Sequence, residues 1–184
     1  MAKKENQRIK LTKILLKNSL IDLMHVKPIS KITIKELCEN ADINRSTFYL
    51  YYTDQFVLLK SIEVELLDNV QKHLNKIDSR TDSIQYLQAL LTYIEANADI
   101  FETLLCRQEN PDFQASFVER SLSNLKLNLS LDCKEPVLGY VYSYLIMGCL
   151  SVIKKWIGSG LELPSMEMAN LIYRLSDKAS SVFS

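Results

Sequence analysis

The chain contains 184 residues, of which 47% are hydrophobic and 24% are charged, and its formal net charge at pH 7 is zero. These proportions are ordinary for a soluble globular protein with one domain, or with a small domain fused to a larger one. Four glycines and four prolines are few turn formers, and together with abundant Leu, Ile, Lys and Glu they predict an all-helical (all-α) chain.

Charge is unevenly distributed along the chain. Residues 1–60 contain eleven Lys and Arg and six Asp and Glu, a net charge of +5, whereas residues 61–184 carry −5. A basic first third is typical of a segment that meets a polyanion, and also of an ordinary solvated surface. Charge alone leaves both interpretations open.

The cysteines and histidines indicate neither a metal site nor a disulfide framework. They are scattered, and no two cysteines form a C-x-x-C pair: Cys38, Cys106, Cys133, Cys149, His25 and His73. We therefore expect no cofactor or metal, and a cytoplasmic location where thiols stay reduced. A Gly-rich phosphate loop and a nucleophile elbow are also missing from the sequence, so we do not expect an enzyme.

Two segments bear on membranes. The N-terminus is charged and lacks the continuous apolar stretch of a signal peptide. Residues 136–153 carry no charge over eighteen residues, which is the lower edge of a membrane span. A helix that is apolar on all sides is buried in a core or in a membrane. Because this one also contains Ser143 and Ser151, we favour burial between subunits and expect no membrane partner.

The first helix is predicted over about residues 7–24, and its apolar face consists of Ile9, Ile14, Leu15, Leu20, Ile21 and Leu23. Thr33 followed by Glu36 is a capping box, which starts a second helix over residues 34–40. Asp42 begins a tight turn, in which a positive φ is expected and Asp tolerates it well. Asn44 then caps the third helix.

The third helix opens with four polar residues: Asn44, Arg45, Ser46 and Thr47. A helix, a tight turn and a short polar helix are the layout of a helix-turn-helix whose second helix reads a DNA major groove. Arg pairs with guanine and Asn with adenine. Tyr49 and Tyr51 are predicted to bond phosphate through their hydroxyls, and Phe48 and Tyr52 to pack in the core.

Asp54 caps a fourth helix over about residues 55–76, and the polar stretch 77–83 is the best linker candidate. Further helices are predicted over about residues 83–97, 99–107, 112–129, 136–157 and 164–182, with a glycine stop signal at 158–160. The prediction is about nine helices in two domains. Residues 1–53 are predicted to form a three-helix helix-turn-helix DNA-binding domain, and residues 54–184 a larger helical domain.

The stretch from Thr33 to Leu59 resembles the DNA-binding domain of the TetR/AcrR regulators. Their pattern is a Thr-capped helix, a Gly-Val turn, a short helix ending in Tyr-x-His/Tyr-Phe/Tyr, and then Lys-x-x-Leu. This chain has Asp42-Ile43 at the turn and Tyr49-Leu50-Tyr51-Tyr52 at the helix end. The run 44–49 is similar to a Gram-positive subgroup that includes regulators resembling the dihydroxyacetone-kinase operon activator.

Two positions depart from the family pattern. Asp42 replaces the usual turn glycine, and Gln55 replaces a phosphate-binding lysine, so one charged contact is lacking unless Lys60 or Lys35 supplies it. The resemblance and the residue types together predict these DNA contacts: Thr33, Lys35, Asn44, Arg45, Ser46, Thr47, Tyr49, Tyr51, Gln55 and Lys60.

The resemblance implies a homodimeric repressor of a double-stranded DNA operator, with a C-terminal domain that binds a small-molecule effector. Plain core packing is the favoured explanation for each of the candidate pocket residues, which are Tyr93, Phe101, Leu104, Cys106, Phe117, Tyr140, Tyr144, Met147 and Trp156. The last two long helices imply a dimer interface through Val141, Leu145, Gly148, Val152, Leu171 and Leu175. Two alternatives stay open: a co-regulator that senses a protein partner, and a helical interaction module with weak DNA binding.

Overall fold

The structure is a computed structural model that describes residues 2–76, 83–107, 110–122 and 136–180, with side chains described between residues 7 and 179 of these ranges. All regular elements in these ranges are helices, which confirms the all-α prediction. The chain divides into two compact units, Met1–Leu66 and Leu67–Ser184. The boundary between the two units in the sequence falls inside the helix Gln55–Leu74, whereas the predicted domain boundary lies between residues 53 and 54. The assignment of DNA reading to residues 1–53 stays a prediction.

The first unit contains three complete helices and the first half of a fourth. Their bounds are α1 Ala2–Val26, α2 Ile34–Asn40, α3 Arg45–Tyr49 and α4 Gln55–Leu74, with a 3-10 turn at Ile29–Lys31 after α1. All four helices contribute fully buried side chains to its core, including Leu20, Leu37, Phe48, Leu58 and Ile62. The core predictions for Phe48 and Tyr52 are confirmed, since the two side chains are 0% and 9% exposed.

The apolar face predicted for α1 was partly wrong. Ile14 and Leu15 are 42% and 37% exposed, whereas Leu16 is completely buried. The buried stripe includes a polar residue, Ser19, whose hydroxyl donates to the Leu37 carbonyl at 2.8 Å. This hydrogen bond allows a serine in the stripe and so rotates the buried face away from the one that hydrophobicity alone indicates. Val57 of α4, also predicted to face inward, is 45% exposed.

In its described ranges, the second unit holds the rest of α4 and five further helices. Their bounds are α5 Ser83–Ala96, α6 Ala98–Phe101, α7 Pro111–Phe117, α8 Val137–Gly158 and α9 Ser165–Ser180. Both short helices continue as π-helical segments, α6 over Glu102–Arg107 and α7 over Val118–Leu122. The rest of the predicted helix, residues 123–129, lies outside the described residues. Helix α9 packs against both α5 and α8.

The turn between α8 and α9 is fixed by hydrogen bonds. The Gly160 N–H donates to the Ile157 carbonyl and the Leu161 N–H to the Trp156 carbonyl, each at 3.0 Å, which is a Schellman motif. Gly160 and Leu161 have φ values of 82° and 58°. The Trp156 indole Nε1 donates to the Leu163 carbonyl at 2.8 Å. This turn confirms the predicted glycine stop signal and holds α9 beside α8.

Among the described helices, α8 alone is long and apolar enough to cross a membrane by length and composition. Only 22% of its most apolar 18-residue window is buried within the chain. Burial inside a single copy of the chain therefore accounts for little of its apolar surface.

Candidate functional site

The start of α2 is a complete capping box. The Glu36 N–H donates to Thr33 Oγ1 at 3.2 Å, and the Thr33 N–H donates to Glu36 Oε2 at 3.0 Å. The Lys27 ammonium bonds Glu36 Oε1 at 2.6 Å. This lysine bond, followed by the two bonds from Thr33, lowers the pKa of Glu36 to about 2. Thr33 is exposed, but its hydroxyl already takes part in the cap.

The turn between α2 and α3 has the predicted backbone. Asp42 has a φ of 52°, which confirms the left-handed position where the family has glycine. The Ile43 N–H donates to the Cys38 carbonyl at 2.9 Å and closes the turn. Asn44 then caps α3, because its Oδ1 accepts the Ser46 N–H and the Ser46 hydroxyl, both at 3.0 Å. The turn thus fixes where α3 begins.

The capping geometry separates the polar residues of α3 by role. The amide oxygen of Asn44 and the hydroxyl of Ser46 bond each other, so a bidentate contact from Asn44 to adenine competes with the cap. The Arg45 side chain is exposed, and in the described chain no carboxylate pairs with it. Thr47 is half-buried. Arg45 is therefore the α3 side chain best placed to read a base edge.

Aromatic packing orients the end of α3. The buried Phe48 ring contacts Tyr49 edge to face at a centroid distance of 5.5 Å and Tyr52 at 5.8 Å. Tyr49 remains 59% exposed, while Tyr51 is half-buried. Phe48 thus anchors the helix in the core and holds the Tyr49 hydroxyl outward, where it is available to a phosphate.

A shallow depression between α2 and α3 brings together three of the predicted DNA contacts. Its lining includes Lys35, Asn44 and Arg45, with Cys38 at its inner side. Burial raises the pKa of the Cys38 thiol, and the positive charge of Arg45 acts in the opposite direction. The thiol is therefore a neutral part of the wall.

Two predicted phosphate contacts are already paired with carboxylates. Lys35 lies 3.9 Å from Glu39, and Lys60 bonds Glu63 at 3.1 Å. The helical i,i+4 and i,i+3 spacings of these pairs are visible in the sequence, although our sequence analysis did not use them. Each lysine has to share its charge with an acid before it serves a phosphate.

Gln55 begins α4, as predicted, and is half-exposed. The preceding Asp54 caps the helix, with Oδ1 accepting the N–H groups of Phe56 at 2.8 Å and Val57 at 2.9 Å. A neutral amide beside a carboxylate thus occupies the place where the family pattern has a lysine.

One contact at this site was missed by the sequence analysis. The ammonium of Lys13, in α1, lies 5.6 Å from the centroid of the Tyr51 ring. The two residues are 38 positions apart, and no local spacing signal connects them.

The predicted effector-pocket residues separate into two sets. Six lie in or near the interior of the second unit: Tyr93, Phe101, Leu104, Cys106, Phe117 and Trp156. Phe101 contacts the rings of Tyr93 at 6.2 Å and Phe117 at 5.8 Å. The other three are on the surface of α8, where Tyr140 is 73%, Tyr144 74% and Met147 54% exposed. The nine residues therefore do not line one enclosed cavity, and their role in ligand binding stays a prediction.

Most of the predicted dimer residues lie along one open groove between α8 and α9. Its lining includes Leu145, Gly148, Val152 and Leu175, together with Tyr144. Leu171, one turn before Leu175, is 41% exposed, and Val141 is half-buried. The groove is apolar and open to solvent in a single copy of the chain.

Comparison with known proteins identifies the family. A family model described as the TetR transcriptional regulator C-terminal region matches residues 81–178, more than half of the chain. The chain belongs to the TetR family of transcriptional regulators. This membership confirms the predicted resemblance and the non-enzymatic class.

Individual relatives agree with TetR membership. An uncharacterised HTH-type transcriptional regulator of Bacillus subtilis (strain 168), YxbF, is 26% identical over 97 residues, half of this chain. The match spans about a quarter (26%) of that relative's length. A TetR transcriptional regulator from Streptococcus agalactiae 2603V has the same fold, with a TM-score of 0.72 and 23% identity over 96% of this chain and 99% of that one.

Two further solved structures share the TetR-type fold. The dihydroxyacetone kinase operon activator DhaS aligns with a TM-score of 0.60 and 16% identity over 94% of this chain and 98% of that one. The fatty acid degradation regulator FadR from Bacillus halodurans aligns with a TM-score of 0.60 and 14% identity over 90% and 94%. These identities establish the architecture alone.

Proposed function

We propose that this TetR-type regulator binds a specific double-stranded DNA operator through α2 and α3 in the cytoplasm. One observation carries the proposal. The capped turn at Asn44 places Arg45, which pairs with no carboxylate among the described residues, at the start of α3, and buried Phe48 packs against the exposed Tyr49 at its end. Recognition of the major groove requires a side chain that reads base edges and another that donates a hydrogen bond to a phosphate. Arg45 and the Tyr49 hydroxyl supply these at opposite ends of α3.

The contacts divide by chemistry. Arg45 pairs with a guanine through its two parallel N–H donors and supplies about 1–3 kcal/mol of discrimination. Thr47, Tyr49 and Tyr51 bond phosphate oxygens and set the register, and Thr33 does so only by giving up the hydrogen bond from its hydroxyl to Glu36. Lys35 and Lys60 add charge only after sharing it with Glu39 and Glu63.

The active form in this proposal is a homodimer joined through the α8–α9 groove. The apolar groove is open in one copy, and a second copy related by a two-fold axis covers it with the same residues. Two α3 helices then read half-sites about one helical turn apart, roughly 34–36 Å. Residues 1–53 bind the operator DNA, and residues 54–184 form the dimer and bind the effector.

Repression with release by a small-molecule effector is the regulatory mode we propose. The aromatic interior around Phe101 suits an apolar effector. A second candidate is a co-regulator that senses a protein partner, supported by the exposed Tyr140 and Tyr144 on α8. A screen of small molecules for shifts in the thermal stability of the chain distinguishes the two candidates. A compound that raises the melting temperature supports the small-molecule effector.

The test is selection of duplexes from a random pool, followed by affinity measurements on the enriched sequence across salt concentrations. We expect one enriched palindrome and an affinity that falls as salt rises, which gives a negative slope of log K against log salt concentration. Arg45→Ala should reduce discrimination at one base position by about 1–3 kcal/mol. The matched control is Lys31→Ala, a similarly exposed cation outside the proposed contacts. No enrichment by the wild-type chain would favour a helical interaction module instead.

A further inference from the structure

Lys13 is tethered to the helix-turn-helix by an aromatic ring. Its ammonium lies 5.6 Å from the centroid of Tyr51, two residues after the end of α3. The face of an aromatic ring attracts a cation at this distance, which favours one position of the long, flexible Lys13 side chain on α1. The contact therefore places a positive charge beside Tyr51, one of the two tyrosines that we assign to phosphate.

The other charges around this end of the motif do not serve a phosphate well. The Asp54 carboxylate occupies the first N–H groups of α4, and Gln55 is neutral. Lys60 is bonded to Glu63. In contrast, within the described part of the chain no carboxylate forms an ion pair with Lys13. The ring faces one side of the ammonium, and the N–H donors on its other side remain available to a phosphate.

We propose that Lys13, positioned by the Tyr51 ring, contacts a DNA phosphate and supplies the charge that Gln55 lacks. The proposal rests on the DNA-binding function above. It also replaces the expectation that Lys35 or Lys60 compensates for Gln55, because both of these lysines are paired with glutamates. The Tyr51 hydroxyl and the Lys13 ammonium would then contact the same stretch of the DNA phosphate backbone.

The first test is the salt dependence of binding by the Lys13→Gln variant. Removing one phosphate contact makes the log–log salt slope shallower by about 0.9. The affinity deficit of the variant should then narrow by about threefold between 50 and 200 mM salt. Preference among base pairs should not change. Lys10→Gln removes the same charge from an exposed site one turn earlier on α1 and should leave the slope unchanged.

The second test asks whether Tyr51 positions the lysine. In a Tyr51→Phe background, which keeps the ring, Lys13→Gln should still make the slope shallower. In a Tyr51→Leu background, which removes the ring, the effect of Lys13→Gln should shrink. Equal effects in both backgrounds would show that the ring plays no part.

The third test is rescue. Gln55→Lys should steepen the slope of the Lys13→Gln variant by about 0.9, back to the wild-type value. Salt-dependent wild-type binding with an unchanged slope in Lys13→Gln, or with an equal loss in Lys10→Gln, overturns the Lys13 proposal alone. If the wild-type chain binds no duplex, the proposed function fails as well. Circular dichroism spectra matching the wild type ensure that each variant is compared in the folded state.

Discussion

The carboxylate of Glu95 in α5 caps the N-terminus of α9 by bonding Ser165, which is 70 residues away in sequence. Oε1 accepts the Ser165 N–H at 3.3 Å, and Oε2 accepts its hydroxyl at 2.7 Å. A carboxylate at this end also interacts favourably with the helix dipole. The capping group of a helix that we place in the dimer interface thus comes from a different helix.

Glu95→Ala should lower the free energy of unfolding by about 1–2 kcal/mol, because it removes the carboxylate that accepts from the Ser165 N–H and hydroxyl at the start of α9. Urea unfolding at fixed protein concentration, followed by the fluorescence of the single tryptophan, Trp156, measures this change. The matched control is Glu162→Ala, which removes an exposed carboxylate from the adjoining loop. Equal losses in the two variants would contradict the capping role.

Glu36→Gln should weaken stability above about pH 4.5 and progressively less below it. The folded-state pKa of Glu36 is lowered from 4.5 to about 2, so its contribution is present above the unfolded value and is lost as pH falls towards 2. Urea midpoints of wild type and variant, measured from pH 6 to pH 3, should therefore converge as pH falls. The opposite trend, with a gap that widens in acid, would rule out the depressed pKa.

Substitutions at Asp42 should report its left-handed backbone, with φ at 52°. Asp42→Val should destabilise the chain by about 1–2 kcal/mol, because a β-branched residue is strained in this region. Asp42→Gly is the matched comparison and should not destabilise, since glycine adopts positive φ freely. Thermal unfolding of the two variants tests the difference. If valine and glycine had the same effect, backbone strain at this turn would be excluded.

Gly148→Glu should convert a dimer into a monomer. In a single copy, no neighbouring atom lies within 4 Å of the position of a Cβ at residue 148, so the chain itself tolerates a side chain there. In the proposed dimer, two-fold symmetry buries two glutamates in an apolar groove. Gly158→Glu, on the same helix and equally open, is the control. Light scattering gives the masses, and a monomeric wild-type chain would contradict the dimer proposal.

The sequence by itself determined the local structure of the helix-turn-helix formed by α2 and α3. The capping box at Thr33, the left-handed turn at Asp42 and the cap at Asn44 each depend on atoms within five residues. Hydrogen bonds and backbone sterics at that range follow from residue type and spacing, so their pattern was legible before any packing was known. The number and order of the described helices could also be predicted from the sequence, because hydrophobic periodicity and stop signals are local features.

Only the tertiary structure decided which distant groups meet. The buried face of α1 includes Leu16 and Ser19, and the Ser19 hydroxyl donates to a backbone carbonyl of α2. The tertiary structure brought Lys13 to Tyr51 and Glu95 to Ser165. It also left Tyr140 and Tyr144 on the outside of α8, although their hydrophobicity is equally consistent with a pocket. Such pairings depend on how whole helices pack, and helical periodicity fixes which residues share a face without fixing what that face touches.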